Sequence, residues 1–162
     1  IPGMVTVGPI FLAYKDLKLI DTHIGLVLVF VAETLPIALL TLFSYFKAIP
    51  RELDEAASID GSSIVGTFFR IILPIALPGF SVTFLLIFIA VWNEFLFALT
   101  FNQDKDMKTA TVAMYQFTGS LGFNTPYGTI MAAGVLLTIP LLVLVLIFQR
   151  RIVDGLTAGG VK

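Results

Sequence analysis

Two acidic side chains, Glu33 and Glu94, lie within long apolar stretches of the sequence, where a charged group in a bilayer is costly. The stretches around them contain no lysine or arginine. Each carboxyl group must then be protonated, hydrated, hydrogen-bonded or matched by another chain. Together with Asn93, the two glutamates are candidates for a substrate pathway or for polar contacts inside a helix bundle. Hydrogen bonding between helices is the simpler role for Glu94, whereas Glu33 could bond a carbonyl freed by Pro36.

The sequence contains few residues suited to catalysis, metal binding or phosphate binding. There is no cysteine, and His23 is the only histidine, so the sequence predicts no metal site. Gly155 and Gly160 have the spacing of a phosphate-binding loop, but Val161 interrupts the Gly-Lys pair that such a loop requires. A net charge of −1 argues against nucleic-acid binding. We therefore expect no catalytic residue, no cofactor bound by this chain and no nucleic-acid partner.

A polar segment, residues 52–61, interrupts the apolar sequence and has the features of a short docking helix. Pro50 suits the start of a helix, and the first turn carries three acids that the helix dipole favours there: Glu52, Asp54 and Glu55. Four residues would share one helical face, which is small and only mildly apolar: Leu53, Ala56, Ala57 and Asp60. Gly61 permits a tight turn directly afterwards. Such a helix could dock in a groove on a partner, although a plain surface helix between two spans fits the pattern as well.

The elements that position these residues are membrane-spanning helices. Of the 162 residues, 57% are hydrophobic and 13% charged, about half the charge of a typical soluble domain. Residues 24–46, 79–101 and 128–148 are each long enough to cross about 30 Å of hydrocarbon. Residues 1–14 are too short for this, and we interpret them as the end of a truncated helix. The prediction is an all-α, polytopic membrane helical bundle that forms one domain over residues 1–162.

In the second predicted span, residues 79–101, three side chains would share one helical face: Ala90, Glu94 and Ala98. The segment between the first two spans, residues 47–78, is expected to hold a second helix after the docking helix, capped by Ser62 or Ser63. Its apolar stripe would lie against the spans: Ile64, Val65, Phe68, Phe69 and Ile72. Pro74 and Pro78 are expected to break this helix and redirect the chain into the next span. A further short helix is predicted over residues 111–117, in the opposite loop.

Lysine and arginine are unevenly distributed between the two sides of the predicted spans. Four lie in the first and third connections: Lys15, Lys18, Lys105 and Lys108. Six lie in the second connection and the tail: Lys47, Arg51, Arg70, Arg150, Arg151 and Lys162. Because cytoplasmic loops carry the excess of these residues, residues 47–78 and the C-terminus are expected to be cytoplasmic.

The polar segment resembles the EAA loop of ABC importer permeases. The matching residues are Glu55-Ala56-Ala57, then Asp60-Gly61, with Ile72-Leu73-Pro74 downstream. The segment Trp92-Asn93-Glu94-Phe95 and the tail 155–162 are similar to the carbohydrate branch of that family, the maltose-permease G-type subunits. The resemblance implies the C-terminal portion of an ABC importer type I permease fold. It also implies a coupling surface that docks in a cleft on an ATPase subunit: Glu55, Ala56, Ala57, Asp60 and Gly61.

By the same resemblance, the chain would be the permease subunit of an ATP-driven, binding-protein-dependent importer for sugars or related polyols. It would not be an enzyme, because a separate ATPase subunit would use ATP and Mg. Its partners would be ATP-binding cassette ATPase subunits, a companion permease in a heterodimer, an extracytoplasmic solute-binding protein and the lipid bilayer. It would lie in a bacterial or archaeal inner membrane, and an N-terminal part with further spans would precede residue 1.

Two alternatives remain open from the residues themselves. The chain could be a self-contained secondary carrier that uses Glu33 or Glu94 as a proton or sodium site. No inverted-repeat symmetry is visible in the spans, and the polar segment 52–61 has no role in such a carrier. A purely structural membrane scaffold is the remaining possibility for any helical chain of this kind.

Overall fold

The computed structural model describes the backbone of residues 3–119 and 127–160, with side chains for 4–104, 106–116 and 127–149. The described residues are helical and contain no strand, which confirms the all-α prediction. Within them there are eight α-helices: α1 (Gly3–Asp16), α2 (His23–Lys47), α3 (Glu52–Ile59), α4 (Ile64–Thr67), α5 (Leu73–Trp92), α6 (Leu96–Phe101), α7 (Ala110–Gly119) and α8 (Tyr127–Gly160). A π-helical segment, Phe68–Ile72, joins α4 to α5, and a 3₁₀ turn, Lys105–Met107, precedes α7.

Three helical stretches in the described residues are long and apolar enough to cross a membrane: His23–Lys47, Ile64–Trp92 and Tyr127–Gln149. The first and third agree closely with the predicted spans 24–46 and 128–148. The prediction of a second span over residues 79–101 was wrong, because the helix begins fifteen residues earlier and ends at Trp92. At 1.5 Å per residue this helix is about 43 Å long. It therefore extends beyond the hydrocarbon core.

The expected break at Pro74 and Pro78 is also wrong, since the helix passes through both prolines. At Pro74 the π-helical turn explains how. The N–H of Leu73 donates to the carbonyl of Phe68, five residues back. In a regular α-helix the ring of Pro74 would collide with the carbonyl of Arg70, four residues back. The wider π turn immediately before Pro74 relieves this collision, so the helix continues instead of ending.

A sharp, well-bonded turn separates α3 from α4. Gly61 has a φ of +75°, and the amide of Ser62 donates to the carbonyl of Ala57 at 3.0 Å. With the Gly61 amide bonded to Ser58, this is a Schellman ending, which uses the glycine's access to the left-handed region. Ser63 then caps α4, because its Oγ accepts the N–H of Gly66 at 3.2 Å. The predicted serine cap is therefore confirmed at Ser63.

The chain divides into two compact units, and the first consists of residues 1–34 and 89–143. Its core is formed by Val29 on α2 with Phe97 and Phe101 on α6. The rings of Phe11 and Tyr14 on α1 lie 6.0 and 4.9 Å from the ring of Phe101. The helix α1 therefore packs on the short helix α6.

The second unit consists of residues 35–88 and 144–162. The ring of Phe46 on α2 stacks on Phe68 and meets Phe80 edge to face, at centroid distances of 6.4 and 6.0 Å. Gly79 lies directly beneath the ring of Tyr45, where a Cβ would come within 2.4 Å of Tyr45 Cγ. The close approach of α2 and α5 at this point therefore requires glycine.

We expect Gly79→Ala to destabilise the folded chain by about 1–3 kcal/mol, because the added methyl group must displace the Tyr45 ring. Thermal unfolding of the purified protein in detergent measures this loss. Gly134→Ala is the matched control, since a Cβ there meets nothing within 4 Å. Equal unfolding temperatures for the two variants would contradict the packing described here.

Candidate functional site

The helix α3 presents an acidic surface. Its first turn contains Glu52, Asp54 and Glu55. The partial positive charge of the helix N-terminus stabilises acidic side chains at these positions. The carbonyl of Arg51 accepts the amides of Asp54 and Glu55 at 3.0 and 3.1 Å, which closes that turn. These three acids and Asp60 are exposed, and none forms an ion pair within the part of the chain whose side chains are described. The surface is therefore complementary to a basic partner.

The five residues of the predicted coupling surface differ in their solvent exposure. Glu55, Ala56, Asp60 and Gly61 are exposed, but Ala57 is only 4% exposed and Leu53 is half-buried. Positions 53 and 57 form the inner stripe of α3, and the helix as a whole contacts α4. Positions 56 and 60 form a neighbouring stripe that points outward. Periodicity alone grouped the two stripes into one face, and only tertiary packing separates them.

Exposed apolar side chains flank the acidic surface, which the sequence did not indicate. Ile59 at the end of α3 is 86% exposed and Ile64 at the start of α4 is 89% exposed, on either side of the Gly61 turn. Val65 and Phe69 are exposed as well, whereas Phe68 contacts Phe46. The predicted apolar stripe is thus only partly covered within the described chain.

The second candidate site is a break in the helix at Asn93, Glu94 and Phe95, between α5 and α6. Oε1 of Glu94 accepts the N–H of Phe97 at 2.8 Å, and Oε2 accepts the N–H of Ala98 at 3.0 Å. Both oxygens thus serve as a cap for the first turn of α6. The expectation that Ala90, Glu94 and Ala98 share one face of a continuous helix was wrong, because the helix is interrupted between them. The carboxylate bonds backbone amides of its own segment.

The neighbouring polar groups of the break are also bonded within the chain. Nδ2 of Asn93 donates to the carbonyl of Ile89 at 2.8 Å, and Nε1 of Trp92 donates to the carbonyl of Leu137 on α8 at 3.2 Å. The hydroxyl of Thr111 on α7 donates to the carbonyl of Glu94 at 3.0 Å. The break is therefore a fixed structure tied to α7 and α8, whose irregular backbone is satisfied by protein groups.

Glu33 differs from Glu94, although the two carboxyl groups are electrostatic neighbours. Its side chain is exposed and makes no hydrogen bond to the described residues, so no bond to a carbonyl freed by Pro36 is observed. On the same helix the hydroxyl of Thr34 donates to the carbonyl of Phe30 at 2.7 Å. Among the three predicted pathway residues, only Glu33 therefore has a carboxylate available to a ligand. The described residues contain no cluster of three potential metal ligands.

A further polar link was missed by sequence reasoning. Oδ1 of Asp21 accepts the amides of Gln103 and Asp104 at 2.6 and 2.9 Å, and the Asp21 amide donates to the carbonyl of Phe101. Asp21 holds a φ of 54°, a conformation that aspartate tolerates better than most residues. The link joins the loop after α1 to the loop after α6. The nearest sequence signal is the Asp21-Thr22 pair before α2, where Thr22 caps the helix by accepting the amide of Gly25.

The predicted short helix over residues 111–117 is confirmed by α7. Of the tail that carried part of the resemblance, residues 155–160 continue the backbone of α8. Residues 161 and 162 lie outside the described residues.

Residues 1–157 match a protein family described as "Binding-protein-dependent transport system inner membrane component". The trehalose transport system permease protein SugB of Mycobacterium tuberculosis is 44% identical over 99% of this chain and 59% of its own length. The trehalose/maltose transport system permease protein MalG of Thermococcus litoralis is 45% identical over 99% of this chain and 58% of its own length. The sulfoquinovosyl glycerol transport system permease protein SmoH of Agrobacterium fabrum is 37% identical over 99% of this chain and 56% of its own length. The chain thus spans less than two thirds of the length of these relatives.

We expect Glu94→Ala to destabilise the protein by about 1–2 kcal/mol, the usual cost of removing a helix cap. Glu94→Gln should lose less, because the amide oxygen still accepts one of the two hydrogen bonds. Thermal unfolding of the purified variants measures both effects. Glu33→Ala is the control and should leave the unfolding temperature unchanged. If Glu94→Ala were as stable as the control, the capping role would be wrong.

Proposed function

The chain belongs to the family of inner membrane components of binding-protein-dependent transport systems, and from this premise we propose that it is a permease subunit of an ATP-driven sugar importer. The family and the three apolar helices make it a multi-pass membrane protein. The match also confirms the resemblance to ABC importer permeases. The names of three relatives refer to trehalose, maltose and a sulfoquinovosyl glycerol. A carbohydrate or a polyol is accordingly the substrate class that we propose for this chain.

The observation that carries the coupling role is the exposed acidic surface of α3 on a rigid turn. The Schellman ending and the Ser63 cap hold α3 at a fixed angle to α4, and the two helices are in contact. From α4 the helix runs without interruption to Trp92. A displacement of α3 by a partner would therefore move this long helix as one lever. The break at residues 93–95 ends the lever.

The partner proposed for α3 is a separate ATPase subunit that binds ATP and Mg, since this chain offers no phosphate-binding loop. We propose that its cleft has a basic rim, to match Glu52, Glu55 and Asp60. Docking would use the outward stripe of α3, positions 56 and 60, together with the exposed residues Glu55 and Gly61 beside it. Ala57 would support the helix from within. A companion permease and an extracytoplasmic binding protein would complete the assembly, with α3 and the C-terminus on the cytoplasmic side.

A proton- or sodium-driven carrier is the second candidate, and the unbonded carboxylate of Glu33 is the observation that favours it. The bonded state of Glu94 argues against a shared two-carboxylate ion site, because both of its oxygens already accept backbone amides. Uptake in vesicles that lack ATP but carry a proton or sodium gradient separates the two candidates.

We expect Ala56→Trp to block coupling without unfolding the protein, because position 56 is exposed on the outward stripe. ATP-driven uptake and transport-linked ATPase activity of the reconstituted complex should both fall at least tenfold, while the unfolding temperature stays unchanged. Ala57→Trp is the matched comparison at a buried position, and it should destabilise the protein by about 1–3 kcal/mol. Normal uptake by Ala56→Trp would exclude the outward stripe of α3 as the docking surface.

The absence of native cysteine allows a direct test of the partner and the orientation. We expect a single cysteine at Glu55→Cys in the full-length protein to crosslink to a cysteine in the cleft of the ATPase subunit. The yield should change with ATP, because nucleotide binding would move the docked helix. A cysteine at Asp104→Cys, in the opposite loop, is the control and should react only with reagent added outside the cell. Labelling of Glu55→Cys from outside, without a crosslink, would reverse the proposed orientation and remove the ATPase contact.

A further inference from the structure

An apolar groove lies beneath the turn that leads into α3. A cavity of about 310 Å³ is lined by six apolar side chains: Phe46, Ile49, Pro50, Ile64, Phe68 and Ile72. Arg51 and Asp54 are its polar lining residues. A second cavity of about 430 Å³ shares Phe46, Ile49 and Arg51 and adds Phe43 and Lys47. Because three residues line both cavities, they form one continuous surface, which we call the α2–α4 groove.

Two cations stand on the edge of the α2–α4 groove. Lys47 is the last residue of α2, and Arg51 immediately precedes α3. Both side chains are exposed, and neither forms an ion pair with the residues whose side chains are described. Asp54 is the one carboxylate in the lining. The groove therefore has an excess of one positive charge.

The groove lies on the side of the membrane where two spanning stretches have their ends. One membrane-spanning stretch ends at Lys47 and the next begins at Ile64, so the groove is bordered by two helix ends on the same side of the membrane. Its apolar lining continues into the outer surface of α2, where Phe43 is 66% exposed and Leu40, one turn earlier, is 70% exposed. Acyl chains of the bilayer contact such a surface, so one of them can enter the groove from the side.

We propose that the α2–α4 groove binds an anionic phospholipid, with one acyl chain on the apolar lining and the phosphate on Lys47 and Arg51. Basic pockets at helix ends recognise anionic headgroups in this way, because the charge contribution adds to burial of the chain. A zwitterionic lipid would offer the same acyl chain but a compensating positive charge. The groove therefore selects net negative charge.

The lipid site would act on α3. The carbonyl of Arg51 accepts the amides of Asp54 and Glu55, so its backbone forms the first turn of that helix. A phosphate held by the Arg51 side chain fixes the same residue from the other side. This stabilises the base of α3 without occupying its outward stripe. The inference goes beyond the proposed function, and it holds whatever partner α3 engages.

The test uses the assembled, full-length transporter in nanodiscs that contain equal amounts of phosphatidylglycerol and phosphatidylcholine. After mild delipidation, native mass spectrometry counts the lipids of each class that remain bound. Lys47→Gln with Arg51→Gln should weaken retention of phosphatidylglycerol by about fivefold for each cation removed. Retention of phosphatidylcholine should not change. Asp54→Asn should strengthen retention of phosphatidylglycerol, since it removes the opposing charge.

Arg70→Gln is the matched control, because Arg70 is an exposed cation in the π-helical segment that does not line the groove. Its retention of phosphatidylglycerol should equal that of the unchanged protein. Equal retention by the double variant and by this control would overturn the proposal. Labelling of the Ile49→Cys thiol in lipid-free detergent gives a second test. If another subunit protected this thiol from the reagent, the groove would be a protein contact and the proposal would be wrong. Thermal unfolding of each variant confirms that the fold is kept.

Discussion

A backbone N–H or C=O without a partner costs several kcal/mol in hydrocarbon, and this requirement shapes every irregularity of the spans. Before Pro74 the chain widens into a π turn and keeps the helix intact. At residues 93–95 the helix stops, and the carboxylate of Glu94 supplies acceptors for two amides of the next helix. Elsewhere hydroxyls bond carbonyls one turn back, as Thr83 does to Gly79. A carboxylate offers one acceptor for each of the two amides, which gives the glutamate in this apolar stretch a structural role.

The requirement for paired backbone groups also explains how α3, a helix of eight residues, can be stable. Isolated helices of this length do not hold in water, because nucleation is costly and few hydrogen bonds follow it. α3 is held by its two ends and by its inner stripe. The Arg51 carbonyl closes the first turn, the Schellman bonds close the last, and Ala57 is buried. The outward stripe is therefore free to carry like charges that would otherwise weaken a short helix.

The sequence predicted the features that depend on local composition. It did not predict those that depend on contacts between residues far apart in the chain. The spans 24–46 and 128–148 and the cap at Ser63 follow from apolar length and helix-start chemistry. Pro74 and Pro78 were interpreted as breakers, because nothing local shows that a π turn can absorb a proline. The break at residues 93–95 was hidden by an apolar average over the stretch. Asp21 binds amides 82 and 83 residues away, and no short-range pattern contains that pairing. The burial of Ala57 depends on tertiary packing, which periodicity cannot supply.

The spans bury little of their own surface. Within the described residues, we compared how much of the most apolar 18-residue stretch of each span is buried. The buried part is 6% in His23–Lys47, 22% in Ile64–Trp92 and 0% in Tyr127–Gln149. In lipid, burial of apolar surface gives no driving force between helices, so specific contacts must fix them. The chain supplies a few such contacts, namely Gly79 beneath Tyr45 and the Trp92 indole on the Leu137 carbonyl. Most of each span is left for lipid or for other protein surfaces. Few contacts within the described residues therefore fix one span against another.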